Sequence, residues 1–254
     1  MYVACSTHCF NKYPLGEALG RIAEMEFHKI DVALHERSNH LRPSQVAQDA
    51  TAAAAQLKNA SGLVPAAFSV DIEAPEGEEF DQQFCAVCRL ARLAMAPLLT
   101  IPAAPASTPL DREVQRLTRL CRLAGKDGLI LTVDTRVGTL TENPDVAVTL
   151  CQRVPGLGLT LDPSHYIAGP HQGKPYDQVY PYVRHVHLRD TGRGAGQFQV
   201  HVGQGEIEYG RLIAQLSRHR YDRLLTVDLR DLPDAAYPTE PEVRKLKYLL
   251  ESLV

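Results

Sequence analysis

Eight short, apolar, β-prone runs, separated by longer segments of helical period, constrain this chain more than any other feature. The runs are YVACS (2–6), KIDVAL (29–34), VPAAFSVD (64–71), PLLTIPA (97–103), LILTVD (129–134), LGLTLD (157–162), RHVHLRD (184–190) and RLLTVDL (223–229). Runs that are apolar on both faces suit strands of a buried parallel sheet. Helical patterns lie between them, among them 15–27, 44–60, 79–95, 111–126, 143–154, 207–219 and 240–253. In the fourth of these, Val114, Leu117, Leu120, Cys121 and Leu123 recur at helical spacing, so one face points to a core. Ser44 and Asn143 are expected N-caps, the second followed by Pro144 at the first helical position.

Eight β units joined by right-handed helical crossovers close naturally into a (β/α)8 barrel, which takes roughly 250 residues. The chain has 254. We therefore expect an α/β protein whose residues 1–254 form one barrel domain. An open doubly wound sheet competes, but it carries a glycine-rich turn after its first strand, and CSTHCFNKYP has no glycine.

Composition removes several function classes. The 27 basic and 30 acidic residues give a formal charge of −3 with no basic stripe, so no nucleic-acid partner is expected. No apolar stretch is long enough to span a membrane, and the first residues lack a basic then apolar leader pattern; a cytoplasmic location and no membrane partner are expected. Six cysteines are too few for a disulfide scaffold, and Cys85-x-x-Cys88 sits in a helical pattern, where both read as small buried hydrophobes. A small polar or anionic partner could still be held by a few local cations (a small-molecule carbohydrate, on the resemblance given below), and a homo-oligomer stays open.

The C-terminal strand ends, where such barrels place their active sites, are polar. They carry His8, His35, Glu36, Asp71, Asp134, Asp162, His165, His187, Asp190, Arg193 and Asp228. Asp134, Asp162, His187 and Asp228 come from four consecutive strands. If they converge, their charges need a compensating cation. Three oxygen donors and one nitrogen suit a single divalent metal ion, Mn²⁺, Zn²⁺, Mg²⁺ or Co²⁺. Arg136 and Arg230 are alternative partners for Asp134 and Asp228. His8 and His201 are candidate substrate contacts, His185 reads as structural, and the glycine-rich loop 190–206 could serve as a lid.

LTLDPSHY (160–166), RHVHLRDTGR (184–193) and GQGEIEYGRL (203–212) resemble the xylose isomerase-like TIM barrels, a group of sugar-phosphate isomerases and epimerases and ketose 3-epimerases whose fold endonuclease IV shares. The resemblance implies metal ligands from a strand-5 Glu, a strand-6 Asp, a strand-7 His and a strand-8 Glu. The two Glu residues would double as the acid/base pair. Asp162 and His187 match; Asp134 and Asp228 stand where Glu is usual. The resemblance also implies substrate contacts from His165 and Arg193. The implied activity is a metal-dependent isomerase or epimerase acting on a small sugar, sugar phosphate or related hydroxy-ketone through an ene-diolate, with Asp134 and Asp228 catalytic. Each Asp shortens the arm by one methylene, and a misplacement of about 1 Å can lower a rate on the order of 100-fold. A non-catalytic metal- or ligand-binding barrel is the alternative. An endonuclease IV-like phosphodiesterase is disfavoured because strands 3 and 4 end without histidine.

Overall fold

The computed structural model describes residues 1–58, 62–231 and 237–254. Its strands are β1 (Tyr2–Ser6), β2 (Lys29–His35), β3 (Val64–Asp71), β4 (Leu98–Ile101), β5 (Ile130–Asp134), β6 (Gly158–Leu161), β7 (Val183–Leu188) and β8 (Leu224–Val227). Each pairs in parallel with the next, and β8 returns to β1 from Tyr2↔Leu224 to Cys5↔Val227, closing the barrel. The expected (β/α)8 architecture is the observed one.

The surrounding helices include α1 (Leu15–Glu24), α2 (Pro43–Gln48), α3 (Ala50–Lys58), α4 (Glu78–Leu93), α5 (Leu110–Lys126), α6 (Pro144–Arg153), α7 (Ser164–Ile167), α8 (Tyr209–Arg218) and α9 (Thr239–Glu251). Asn143 caps α6 as expected, accepting from the Asp145 amide. The single helix expected over 44–60 is instead two. Asp49 leaves helical geometry (φ −151°, ψ 88°), and its Oδ1 accepts from the Thr51 and Ala52 amides, which starts α3. Residues 59–60 of that expectation lie outside the described residues. Ser44 is not an N-cap: its amide and hydroxyl both donate to Glu36 inside a helix that begins at Pro43. Cys88 is buried on α4, but Cys85, expected beside it in the core, is exposed. No helix among the described residues is long and apolar enough to cross a membrane.

Helices and outer strand faces share one large apolar core, while the barrel interior is filled in layers. Ala4, Ala67, Leu98 and Leu224 make a small apolar plug. Two residues further along the same strands, on the same face, stand Ser6, Ser69, Thr100 and Thr226. The interior therefore turns from apolar to polar toward the C-terminal ends. On one side of this layer the hydroxyls of Thr100, Thr132 and Thr160 form a triangle with edges of 2.7–3.0 Å. Thr132 also donates to the Leu99 carbonyl.

These buried hydroxyls satisfy one another, so deleting the best connected should leave two partners short. Thr132→Val is expected to lower stability by about 1–3 kcal/mol, read as a shift in the urea midpoint. An unchanged midpoint would show that the triangle contributes nothing.

Candidate functional site

A cavity of about 560 Å³ opens at the C-terminal mouth of the barrel, lined in part by His8, Ser69, Asp134, Arg136, His165, His187, Arg189 and Arg230. Four of the lining residues are arginines just past a strand end and two positions beyond an acid or imidazole: His35-x-Arg37 after β2, Asp134-x-Arg136 after β5, His187-x-Arg189 after β7 and Asp228-x-Arg230 after β8. Arg37 is exposed and pairs with Glu73, while the other three turn to the strand-end aspartates. Residues two apart on an extended strand point the same way.

Each of the three strand-end aspartates has its own guanidinium. Arg136 Nε lies 2.9 Å from Asp134 Oδ2, with Arg136 Nη1 also 3.1 Å from Asp71. Arg189 Nη2 donates to Asp162 Oδ2 at 2.6 Å, and Arg230 Nη2 lies 3.2 Å from Asp228 Oδ2. Their acidities diverge. Burial pushes the Asp134 carboxyl up, outweighing Arg136. Burial also raises Asp162 and Asp228, but Arg189 and His165 for the first, and Arg230 and His8 for the second, more than reverse it and hold both down. Asp162 and Asp228 are buried beneath the cavity surface, whereas Asp134 lines it and keeps a buried, unpartnered Oδ1.

Beneath the arginines, Asp31 of β2 reaches across the barrel. Its Oδ2 accepts from His185 Nε2 at 2.9 Å, His187 Nε2 at 2.7 Å and Ser69 Oγ at 2.9 Å. Asp31 is fully buried, which by itself would push its carboxyl up; the hydrogen bonds from the two imidazoles outweigh burial and hold it well below the usual carboxylate range. Burial lowers His187, but its Asp31 hydrogen bond and nearby Asp228 raise it on balance. With Nε2 fixed by Asp31, His187 turns Nδ1 toward Asp228 Oδ2 at 3.9 Å. The sequence reading missed Asp31, although one acid inside the apolar run KIDVAL is itself a signal, because an unpaired charge would not survive there. His185, read as structural, shares this carboxylate with His187.

The other expected contacts divide. His8 and His165 line the cavity, His8 Nδ1 lying 2.6 Å from Arg230 Nη1 and His165 Nε2 lying 3.0 Å from Arg189 Nη2. Arg193 does not: its side chain is 85% exposed, pairs with Glu206 at 2.6 Å, and borders a separate cavity of about 600 Å³ with Tyr176 and Arg211. His201 also points elsewhere, against Tyr237 and Glu242. The loop expected to be a lid is pinned at its base. Asp190 Oδ2 accepts from the Gly203 and Gly205 amides, and a Cβ on Gly205 would stand 2.2 Å from Asp190 Oδ1.

The strand-end quartet does not bring three ligand atoms within 4.8 Å of one another, although Asp134 Oδ1 and both Asp228 oxygens are buried without a hydrogen-bond partner. Among the described residues, only Asp31, His185 and His187 bring three potential ligand atoms within 4.8 Å of one another. Around a tetrahedral ion with bonds of roughly 2.1 Å, ligand atoms stand about 3.4 Å apart. The 2.7 and 2.9 Å separations in this group are those of hydrogen bonds.

The family model of the xylose isomerase-like TIM barrel matches residues 19–249. No curated protein sequence matches the chain. Among solved structures, the chain is similar to a xylose isomerase-like TIM barrel protein from Mycobacterium smegmatis in complex with magnesium (TM-score 0.76, 16% identity, 99% of this chain and 97% of that one). It is also similar to the 3-keto-D-glucoside 4-epimerase YcjR from E. coli (TM-score 0.72, 14% identity, 98% of each). A third is the probable 3-DHS dehydratase AsbF from Bacillus anthracis (TM-score 0.73, 16% identity, 97% and 98%). At these identities the likeness is one of fold.

Burial leads the fall of both His8 and His165 to about 4, with Arg230 adding to it for His8 and Arg189 for His165 against the opposing pull of Asp162. Both stay neutral in the folded chain while the unfolded chain takes up protons near pH 6.5. Stability is therefore expected to fall as pH drops from about 6.5 toward 4, by on the order of 1–3 kcal/mol for each imidazole. His165→Gln should lose less stability than the parent between pH 7 and 4.5 in urea titrations; equal losses would contradict the assignment.

Proposed function

Because this chain belongs to the xylose isomerase-like TIM barrel family, we propose that it is an isomerase or epimerase of a small sugar, sugar phosphate or related hydroxy-ketone, acting through an ene-diolate. One juxtaposition carries the reading. Asp134, with a raised carboxyl and an unpartnered oxygen, and His187, held at Nε2 by Asp31, line the same cavity from β5 and β7. Groups whose acidities are shifted by burial and by specific partners in one cleft suit general acid–base work. The epimerase among the similar structures supports the same reading.

Asp134, as carboxylate, removes the proton from the carbon beside the substrate carbonyl. His187, protonated, delivers its Nδ1 proton to the carbonyl oxygen, so charge does not build up on the ene-diol. For isomerisation, Asp134 gives its proton to the former carbonyl carbon while the hydroxyl on the neighbouring carbon passes its proton to His187 Nδ1. For epimerisation, His187 Nδ1 takes back the proton it gave, water protonates the opposite face of the carbon, and Asp134 releases its proton to solvent. Asp31 stays ionised throughout and keeps the imidazole oriented. Asp228, the second expected catalytic carboxylate, lies beneath the cavity and acts as a positioning residue for Arg230, His8 and His187. No step is assigned to a divalent ion, because the carboxylates that would hold it are already paired with arginine.

A panel of ketoses, aldoses, inososes and their phosphates, incubated with the protein in D₂O, tests this. Deuterium is expected to enter the carbon beside the carbonyl of at least one compound. Asp134→Asn and His187→Gln should each slow that exchange on the order of a thousand-fold, with unchanged circular dichroism. Exchange at the parental rate in both variants would remove the assignment, and none across the panel would remove the reaction class.

A further inference from the structure

Arg136, Arg189 and Arg230 have a role beyond balancing individual carboxylates. Each keeps an N–H group uncommitted among the described residues: Nη2 of Arg136, Nη1 of Arg189 and Nε of Arg230. All three line the same cavity, and Arg189 is only 7% exposed, so its guanidinium is held rather than solvated. A divalent ion roughly 2.1 Å from Asp134 Oδ2 would stand within about 5 Å of the Arg136 guanidinium, and the same crowding holds at Asp162 and Asp228. Like charges at that distance in a buried setting oppose each other strongly. Arg136, Arg189 and Arg230 thus already stand against Asp134, Asp162 and Asp228, the carboxylates a metal would use.

We infer that Arg136, Arg189 and Arg230 supply from the chain itself the positive charge that a divalent ion would bring, and that this cavity binds a small molecule presenting paired anionic oxygens, without metal. A planar fork of N–H donors matches two oxygens on one carbon, two vicinal oxygens or a phosphate group. The substrate class is therefore an acidic or phosphorylated hydroxy-ketone, and the same guanidiniums would steady oxygens that gain charge as the carbon proton leaves. This rests on the proposed function for the place of the substrate, but its test does not need turnover.

The full chain, treated with chelator and checked for residual metal by elemental mass spectrometry, is titrated calorimetrically with oxalate, inorganic phosphate and, separately, MnCl₂ and ZnCl₂. The expected result is saturable binding of oxalate or phosphate in the presence of EDTA, with no stoichiometric site for either metal. Arg136→Gln and Arg230→Gln should each weaken the anion roughly ten-fold or more, as befits loss of a charge-assisted contact. Should Arg136→Gln fail to fold, Arg230→Gln, at a side chain 33% exposed, gives the same reading. Tight one-to-one metal binding on which anion binding depends would overturn the inference, as would equal anion affinity in the arginine variants. Metal-free anion binding in a protein with no deuterium exchange would keep this inference and sink the isomerase reading; exchange that appears only with added metal would do the reverse.

Discussion

The carboxylate of Asp31, fully buried inside the barrel, is the charge around which the mouth is organised. A lone ionised carboxylate there would be too unfavourable to persist. It persists because two imidazoles and a hydroxyl converge on one of its oxygens. That convergence ties β2 and β3 to β7 across the barrel and fixes the ring of His187. Without it, neither the orientation of His187 nor the spacing of the residues above it would be set.

The arginine pairs form the second tier. Asp162 and Asp228 remain ionised beneath the surface because each has a guanidinium against it, while Asp134 lines the cavity and burial holds its carboxyl up. Three chemically identical side chains thus differ in acidity and access through burial and partner geometry alone. The cavity places one carboxyl able to exchange a proton beside one imidazole and several fixed cations, which suits moving a proton on a small oxygen-rich molecule.

Much of the fold was legible in the sequence because strand and helix periods are local properties. The eight apolar runs lie where the strands are found, and Asn143 with Pro144 marked the start of α6 correctly. Asp49 split a helix because a side-chain cap there competes with a helical pattern that the alanines alone would have continued. The site was read less completely for a different reason. Identity at strand ends was visible, but whether side chains converge on an ion or pair off one by one depends on partners from other strands. The D-x-R, H-x-R and D-x-R spacings were present at 134–136, 187–189 and 228–230, and extended geometry puts both members of each on one side. Arg193 and His201 were misplaced because their loop folds back on Asp190 and Glu242 and carries them off the mouth.

That folding-back has its own consequence. With Asp190 clasping the two glycine amides and no space for a side chain at position 205, the rim beyond β7 behaves as a fixed wall. Selectivity on that side is then a matter of shape. Adjustment to ligands of different length is expected from the segments after β2, β3 and β4, whose Arg37, Glu73 and Pro102 line the cavity.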